Sequence, residues 1–565
     1  MPDFSEKGAG RGLYQWLSRG NRAARDNLAY LSFFLRHRQL FGDVNADPAS
    51  GRRVLFVSPS AHVLELNLSL VRALRARGFA VVVVDTPANR LRRFVRFAGA
   101  TASIPLHEMA SGATTHTGAA QAMIGSCRTF EELLECEWKG IRVGRIAAST
   151  ALRKLNLGDV ILDAAGRRLM LPKLAKTLSG ADWARNVVDT LRPDIAIFMG
   201  TEYSPYGELF DACFTSGVDT IVREVSHRPD SLFLKRYSAE NTGEHVTSLS
   251  AMTWHLARAM PWSERMAERL RSELTNGYQV RGWYSAVRTQ SNTRLASESE
   301  VRESLGIDPS KPTAFVFAHI PFDAPFNWVK PLFRNYQQWL IETVRAATEN
   351  DRVNWVVKIH PANAAKLGGR ITEPVEVSVL RREFPALPPH VKILSDRTHI
   401  STLSLFGVMD YCLTVRGTIG IEAAARGIPV ITAGESRYSG LGFTIDPASP
   451  AEYKQRLRDI RSIARLTPEQ QQLAQRYAYA LLLMRPFVFQ SVTWDYDRPE
   501  KKPNSLYSLS GNINLKSTLE WKSAPDLAAF VDWIADSASE DYLSSVPGAA
   551  AGVDSSHRRL TLQGQ

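Results

Sequence analysis

A cation, an imidazole and an amide closing an apolar run could hold an anion, and Val357-Lys358-Ile359-His360-Pro361-Ala362-Asn363 has that composition. The run reads as a buried strand, so the three polar groups are expected at the carboxyl edge of a sheet, where α/β folds bind ligands. Pro361 ends the strand and fixes the turn, which predicts a held rather than a loose His360. A strand-end lysine beside a structural histidine is the competing reading. A second stretch, Thr414-Val415-Arg416-Gly417-Thr418-Ile419-Gly420-Ile421-Glu422-Ala423, reads as a strand, a glycine turn and a helix start. Free N–H groups at the helix start suit a phosphate, with Arg416 and Thr418 adding donors. Small Gly417 and Gly420 would let a ligand approach the backbone. Glu422 is expected to accept hydrogen bonds from ribose hydroxyls, or else to serve as a favourable charge near the helix N-terminus. Beyond Gly434, Arg437 is placed to reach a phosphate and Tyr438 to stack on a base.

Other candidates stand at expected strand ends. His319 and Asp323 follow Thr313–Phe317 in a Pro/Phe-rich loop, and Thr398, His399 and Ser401 follow a short strand, where their hydroxyls read better as helix caps. In the first half of the chain, His62 opens a helix, Glu202 ends a strand, and His227 with Arg228 follows another. Glu202, His62 and Asp323 are the candidate general bases, since an imidazole or a carboxylate can take a proton from an attacking hydroxyl. His227 and Arg228 are candidates for holding an anionic acceptor. No Asp-x-Asp pair is expected at a strand end, and no metal or other cofactor is expected.

The elements that must position these residues follow from periodicity. Arg53–Ser58 reads as a strand, the leucines from Leu64 to Leu74 recur at helical spacing, and Gly78 closes that helix before a strand at Phe79–Val84. Strand, helix, strand is the crossover unit of a parallel sheet. Strands at 192–199 and 220–225 follow a mostly helical region of about 120 to 190. A second series runs through strands at 313–317, 353–358, 391–394, 411–415 and 429–432, with helices near 336–347, 400 and 419–426. The expected fold class is α/β, with two Rossmann-like doubly wound domains facing a cleft and helical extensions at both ends. The expected division is a basic amphipathic extension (1–50), a first domain that holds the acceptor (51–245), a helical linker (246–310), a second domain that holds the donor (311–450), a helical region (451–545) and a disordered tail (546–565). Residues 495–516 read as a loop and 519–534 as one more helix.

At 565 residues, 44% of them hydrophobic, the chain can bury substantial cores. Its formal net charge of +12 comes from arginines scattered along the whole length, a diffuse field that favours anionic partners without the dense block or recognition module of a nucleic-acid binder. Cys127, Cys136, Cys213 and Cys412 show no metal-binding spacing and suggest a reducing compartment. Neither a secretory leader nor a membrane-spanning run is expected, and the expected location is cytoplasmic. Residues 13–41 interleave Leu13, Tyr14, Trp16, Leu17, Leu28, Tyr30, Leu31, Phe33, Phe34, Leu35 and Phe41 with Arg19, Arg22, Arg25, Arg36 and Arg38. Such a helix either lies on an anionic membrane surface, which would place the protein peripherally at the inner face of the cell membrane, or packs on the body.

Taken together, Val353–Asn363, Ile400–Phe406, Asp410–Gly434 and Arg437–Asp446 resemble the two-Rossmann (GT-B) glycosyltransferases, especially those of capsule polysaccharide biosynthesis. Those enzymes, like bacterial sialyl- and Kdo-transferases that use CMP-sugars, place a His-Pro pair near the donor phosphate. The resemblance covers about 130 residues and implies that His360 and Thr418 contact the phosphate or nucleotide of a nucleotide-sugar and that Glu422 contacts its ribose. It implies a polysaccharide or lipid-linked glycan as acceptor. Transferases of the common capsule pattern have Gln or Ser where this chain has Arg416. A two-Rossmann nucleotide-sugar epimerase and a catalytically silent scaffold of a polysaccharide assembly complex are the alternatives.

Overall fold

The computed structural model describes residues 27–28, 30–41, 50–57, 64–85, 91–106, 115–279, 282–283, 293–327, 331–363, 373–494, 511–517, 520–521 and 523–544, and absences stated below refer to these. Contacts divide the chain into two compact units. One takes in Met1–Glu108, Leu191–Met199 and Val488–Ser537, and the other Met109–Thr190, Gly200–Phe487 and Ala538–Gln565. The units are interleaved along the chain rather than consecutive.

The first unit is built on four parallel strands: β1 (Arg53–Val57), β2 (Ala80–Asp85), β3 (Ala102–Pro105) and β4 (Ile195–Phe198), in the order β4-β1-β2-β3. The valine runs of β1 and β2 are buried almost throughout, as a sheet covered on both faces requires. The helix Leu64–Ala76 buries Leu64, Leu66, Leu68, Leu70, Val71 and Leu74. It packs against the helix Pro525–Asp536 and the antiparallel strand pair Val492–Trp494 and Gly511–Ile513. The last strand falls in a segment expected to be a loop; its short polar sequence, Gly-Asn-Ile, carries no strand periodicity. Asp495 and Asp497 directly follow Val492–Trp494, so an Asp-x-Asp pair does stand after a strand, contrary to expectation. Both aspartates lie outside the described residues. At residues 30–37 the chain is helical and one face packs inward: Phe33 and Phe41 are buried, with Phe33 against Phe94 at 5.5 Å and Phe41 against Phe97 at 5.2 Å and Trp521 at 5.5 Å.

The second unit holds the antiparallel pair β5 (Asp219–Val225) and β6 (Ser231–Tyr237). It also holds a five-stranded parallel sheet of β7 (Thr313–Phe317), β8 (Asn354–Lys358), β9 (Val391–Leu394), β10 (Tyr411–Thr414) and β11 (Val430–Thr432), in the order β11-β10-β7-β8-β9. Strand order moves outward from β7 to β9 and then restarts on the other side of β7, which makes a topological switch point between β7 and β10. The four strands of the first unit run in the same sense, with β1 as their pivot. The chain is therefore α/β with two Rossmann-like parallel sheets. Core packing around the five-stranded sheet is dense and aromatic: Trp339 donates to Tyr453 Oη at 2.9 Å, and Trp355 donates to the Asn350 carbonyl at 2.9 Å. Behind β6, Lys235 and Arg485 share the carboxylate of Asp541, and all three side chains are fully buried. No helix among the described residues is long and apolar enough to cross a membrane.

Candidate functional site

The carboxyl ends of β7, β8 and β10 open onto a cavity of about 790 Å³ whose lining belongs wholly to the second unit. β8 is buried along its whole length, so the side chain at its end emerges inside the protein. Lys358 is 2% exposed and its Nζ has no hydrogen-bond partner. Burial pushes its pKa down to about 8, because an ammonium loses solvation there with only the distant charge of Asp396 opposing. Arg416, just past β10, is 5% exposed; its Nε and one terminal nitrogen are likewise unpartnered, while the guanidinium lies 5.2 Å from the Tyr336 ring centroid. Burial lowers its pKa as well. Arg437 also lines the cavity, held by a hydrogen bond to Thr247 Oγ1 and with Nε unpartnered. A buried cation without an acceptor is costly, so Lys358 and Arg416, with half-buried Arg437 nearby, give the cavity a lining suited to an anion.

The turn after β10 is braced by a residue that itself lines the cavity. His319, following β7, stacks on Tyr336 at 4.6 Å, and its Nε2 accepts from the Val415 amide at 3.2 Å and lies 3.1 Å from Thr414 Oγ1. An accepting Nε2 is a neutral one, and burial and the nearby arginine Arg416 hold this imidazole well below its ordinary pKa. Gly417 donates to Thr414 Oγ1 at 3.1 Å. The helix that follows, Thr418–Ala424, has only seven residues, so its dipole adds little beside the lysine and arginines.

Of the residues singled out in the sequence, Lys358, His360, Arg416, Gly417, Thr418, Glu422, Arg437, His227, Glu202 and Asp323 line this one cavity. His360 accepts from the Ala362 amide at Nδ1, 3.2 Å away, so the proline turn does hold the ring. Glu422 is 4% exposed, accepts from the Tyr278 hydroxyl at 2.7 Å, and is pushed up to about 7 by burial. Asp323 accepts from Arg153 at 2.6 Å and from Tyr203 Oη at 3.2 Å, so its charge is already paired. Glu202, raised by burial, is in no ion pair and takes its Oε2 bond from the Thr201 amide at 3.0 Å.

Five expectations need correction or fall outside the described residues. Tyr438 is fully buried beside Phe443 and Tyr477 and donates to the Gly417 carbonyl at 2.7 Å, so it cannot stack on a base. It is also why residue 420 is glycine: a Cβ there would meet Tyr438 Oη at 2.2 Å. The room at Gly420 serves packing, not a ligand. Asn363 is fully buried, and its amide donates to the His360 carbonyl at 3.1 Å and to Glu376 Oε1 at 2.8 Å, so it holds the His-Pro turn from beneath. Arg228 is clamped by both oxygens of Glu273, at 2.9 and 2.5 Å, and does not line the cavity. Burial raises Glu273, but the hydrogen bonds from His227 and Arg228 outweigh it and hold the carboxyl at about 2. An anionic acceptor thus has no free guanidinium at Arg228. His62 lies outside the described residues.

Sequence reasoning missed Arg153, His245, Tyr278 and Trp283, which also line the cavity, as does Tyr203 beside Glu202. Tyr278 and Trp283 come from the segment expected to be a linker, and Gly277 is the trace they left: a Cβ there would sit 2.5 Å from the Trp283 ring.

The Glu376 carboxyl below Asn363 is pushed up to about 7 by burial, and its Oε2 has no partner. Its folded pKa exceeds its unfolded one, so its contribution is favourable at low pH and is lost as pH rises from about 4.5 to about 7. Glu376→Gln keeps the acceptor for Asn363 and is expected to raise stability by about 2 kcal/mol at about pH 8 and hardly at all at about pH 4.5. Urea midpoints at the two pH values check this; an equal shift at both would mean that Glu376 does not titrate there.

No protein-family model matches the sequence, and no curated protein is significantly similar to it. Solved structures do align. The beta Kdo 2,4 transferase KpsC of Thermosulfurimonas dismutans is 14% identical over 52% of this chain and 80% of its own, with a TM-score of 0.31. The UDP-GlcNAc 2-epimerase of Neisseria meningitidis bound to UDP-GlcNAc is 9% identical over 76% and 97%, with a TM-score of 0.26. The calicheamicin glycosyltransferase CalG4 is 14% identical over 76% and 94%, with a TM-score of 0.25. At such identities and scores these likenesses carry no argument about reaction or ligand, which must rest on the cavity itself.

Proposed function

We propose that the chain is a metal-independent glycosyltransferase that moves a sugar from a nucleotide-sugar to a growing surface polysaccharide, such as capsule, or to a glycolipid acceptor. The observation that carries this reading is the pair of buried, unpartnered cations, Lys358 and Arg416, beside His360 at the carboxyl ends of β8 and β10, the two strands that flank β7. Leaving-group departure from a nucleotide-sugar builds negative charge on the phosphate. Fixed cations in a desolvated site stabilise that charge without reorganising. The donor phosphates fill the space before Lys358, His360, Arg416 and Thr418, with Arg437 as a further cation. Glu422 takes a ribose hydroxyl, its other contact being the Tyr278 phenol. On the wall formed by the segment after β4, Glu202 is the better base of the two described candidates, because Asp323 is ion-paired with Arg153 whereas Glu202 has a pKa raised by burial and makes no ion pair among the described residues.

The test is to incubate the protein with CMP-, UDP- and GDP-sugars, with and without a glycan acceptor. Sugar transfer that needs the acceptor and survives a chelator is expected. Epimerised or free sugar formed without acceptor would replace this reading with the epimerase one, and activity lost to chelator and restored by manganese would overturn the metal-independent part. No turnover and no nucleotide binding would point instead to a silent scaffold.

A further inference from the structure

Inner and outer faces of the helix at residues 30–37 differ from those of an ordinary surface helix. Tyr30, Phe33, Phe34 and Phe41 turn toward Phe94 and Phe97 of the first unit, with Tyr30 edge-on to Phe94 at 5.3 Å and Phe34 at 5.0 Å from Phe97. His37, on the same side, is 3% exposed and pushed down to about 4 by burial and by Arg36. At 100° per residue the side diametrically opposite carries Leu28, Leu31 and Leu35. Surface logic would put polar groups there, yet these leucines are 66%, 50% and 55% exposed. Arg36 and Arg38 flank the stripe and are exposed.

The helix that supports it, Arg92–Phe97, adds Arg92, Arg93 and Arg96, all exposed. Residues 27–41 and 91–97 contain no Asp or Glu. Among the described residues none of the five arginines is in an ion pair, although Arg93 donates to Asn27 and lies over the Tyr30 ring. Among the described residues the apolar stripe is bordered by positive charge and by no carboxylate, which complements one environment in particular, the headgroup boundary of an anionic bilayer: there leucines leave water and guanidiniums meet phosphates.

We propose that this outer face, centred on Leu28, Leu31 and Leu35, docks the protein on an anionic membrane surface, while the aromatic inner face fastens the same helix to the first unit. The two placements open to the sequence thus belong to opposite sides of one helix. The inference stands independently of the reaction assigned to the cavity. It is a reversible, in-plane attachment, because three leucines amount to far less apolar area than a spanning helix.

The full-length protein should sediment with phosphatidylglycerol vesicles and much less with phosphatidylcholine vesicles, and the retention should fall as salt rises. Replacing Leu28, Leu31 and Leu35 together by Ser should lower the partition coefficient about tenfold or more, and Arg36→Gln with Arg38→Gln should lower it about tenfold. The substituted side chains are exposed, so melting curves should stay at the wild-type position; if the leucine variant fails to fold, the arginine variant carries the test. Equal retention on neutral and anionic vesicles, or no retention on either, would overturn the proposal. So would a concentration-dependent dimer of the wild type that the leucine variant abolishes without any vesicle binding, since the face would then belong to a second copy of the chain.

Discussion

Arg416→Met is expected to weaken nucleotide binding about 100-fold or more while making the free protein harder to unfold. Both effects have one cause. The guanidinium is 5% exposed, two of its nitrogens have no acceptor, and its compensation within the chain is confined to the face of Tyr336. Without a ligand it is a desolvated charge held at a loss, which a methionine of similar length would relieve by about 1 kcal/mol or more, less the cation–π contribution. With an anion in the cavity, the same group makes charge-assisted hydrogen bonds in a dry site, among the strongest that a side chain offers. Calorimetry with CMP, UDP and GDP, alongside urea unfolding of the free proteins, reads both halves. A variant that loses stability and keeps its affinity would mean that Arg416 is architectural and that the phosphates lie elsewhere.

The second large effect lies far from the cavity. Asp541→Ala is expected to cost about 3 kcal/mol or more of stability, because it leaves fully buried Arg485 without a carboxylate and leaves fully buried Lys235 with Glu244 alone. Lys235 Nζ is 3.2 Å and the Arg485 guanidinium 3.3 Å from Asp541 Oδ1, and the Ser250 amide donates to Oδ2 at 2.7 Å. Burial raises the pKa of Asp541, but Arg485 and Lys235 outweigh it and hold the carboxyl below its ordinary value. Its contribution is therefore present above the unfolded pKa of about 3.8 and is lost as pH falls through the lower folded value. Urea midpoints for the wild type, Asp541→Ala and Asp541→Asn check this; Asn keeps an acceptor for Ser250 and should fall between the other two. A loss under about 1 kcal/mol for Ala would show that water reaches the pair.

Strands β1, β7, β8 and β10 were legible because each is a short β-branched or aromatic run ending in a proline, a glycine or a charge. Their alternation with helices also gave the parallel sheets. The convergence of Lys358, His360, Arg416 and Glu422 followed from the rule that ligands gather at strand carboxyl ends. What stayed hidden depends on partners distant in sequence. Arg228 reads as a free cation until Glu273 is folded against it, and Tyr438 reads as a stacking ring until Gly420 is seen to make room for its hydroxyl. Strand β6, Ser-Leu-Phe-Leu-Lys-Arg-Tyr, looks charged and solvent-facing, because the Asp541 that neutralises Lys235 comes 306 residues later. Arg153, Tyr278 and Trp283 come from segments with no motif of their own and reach the cavity through topology alone.

Tyr438 grips the turn between Thr414 and Gly417 from outside the cavity, while His319 grips it from the cavity's own lining. A keyhole of this kind has its outline cut by the plate behind it. On the proposed function, donor preference is expected to change when the cavity-lining residues Tyr278, Trp283 or Arg437 are exchanged, while the backbone turn keeps its shape. Changes at Gly420 or Tyr438, although they alter nothing the ligand touches, would warp the outline for every donor alike.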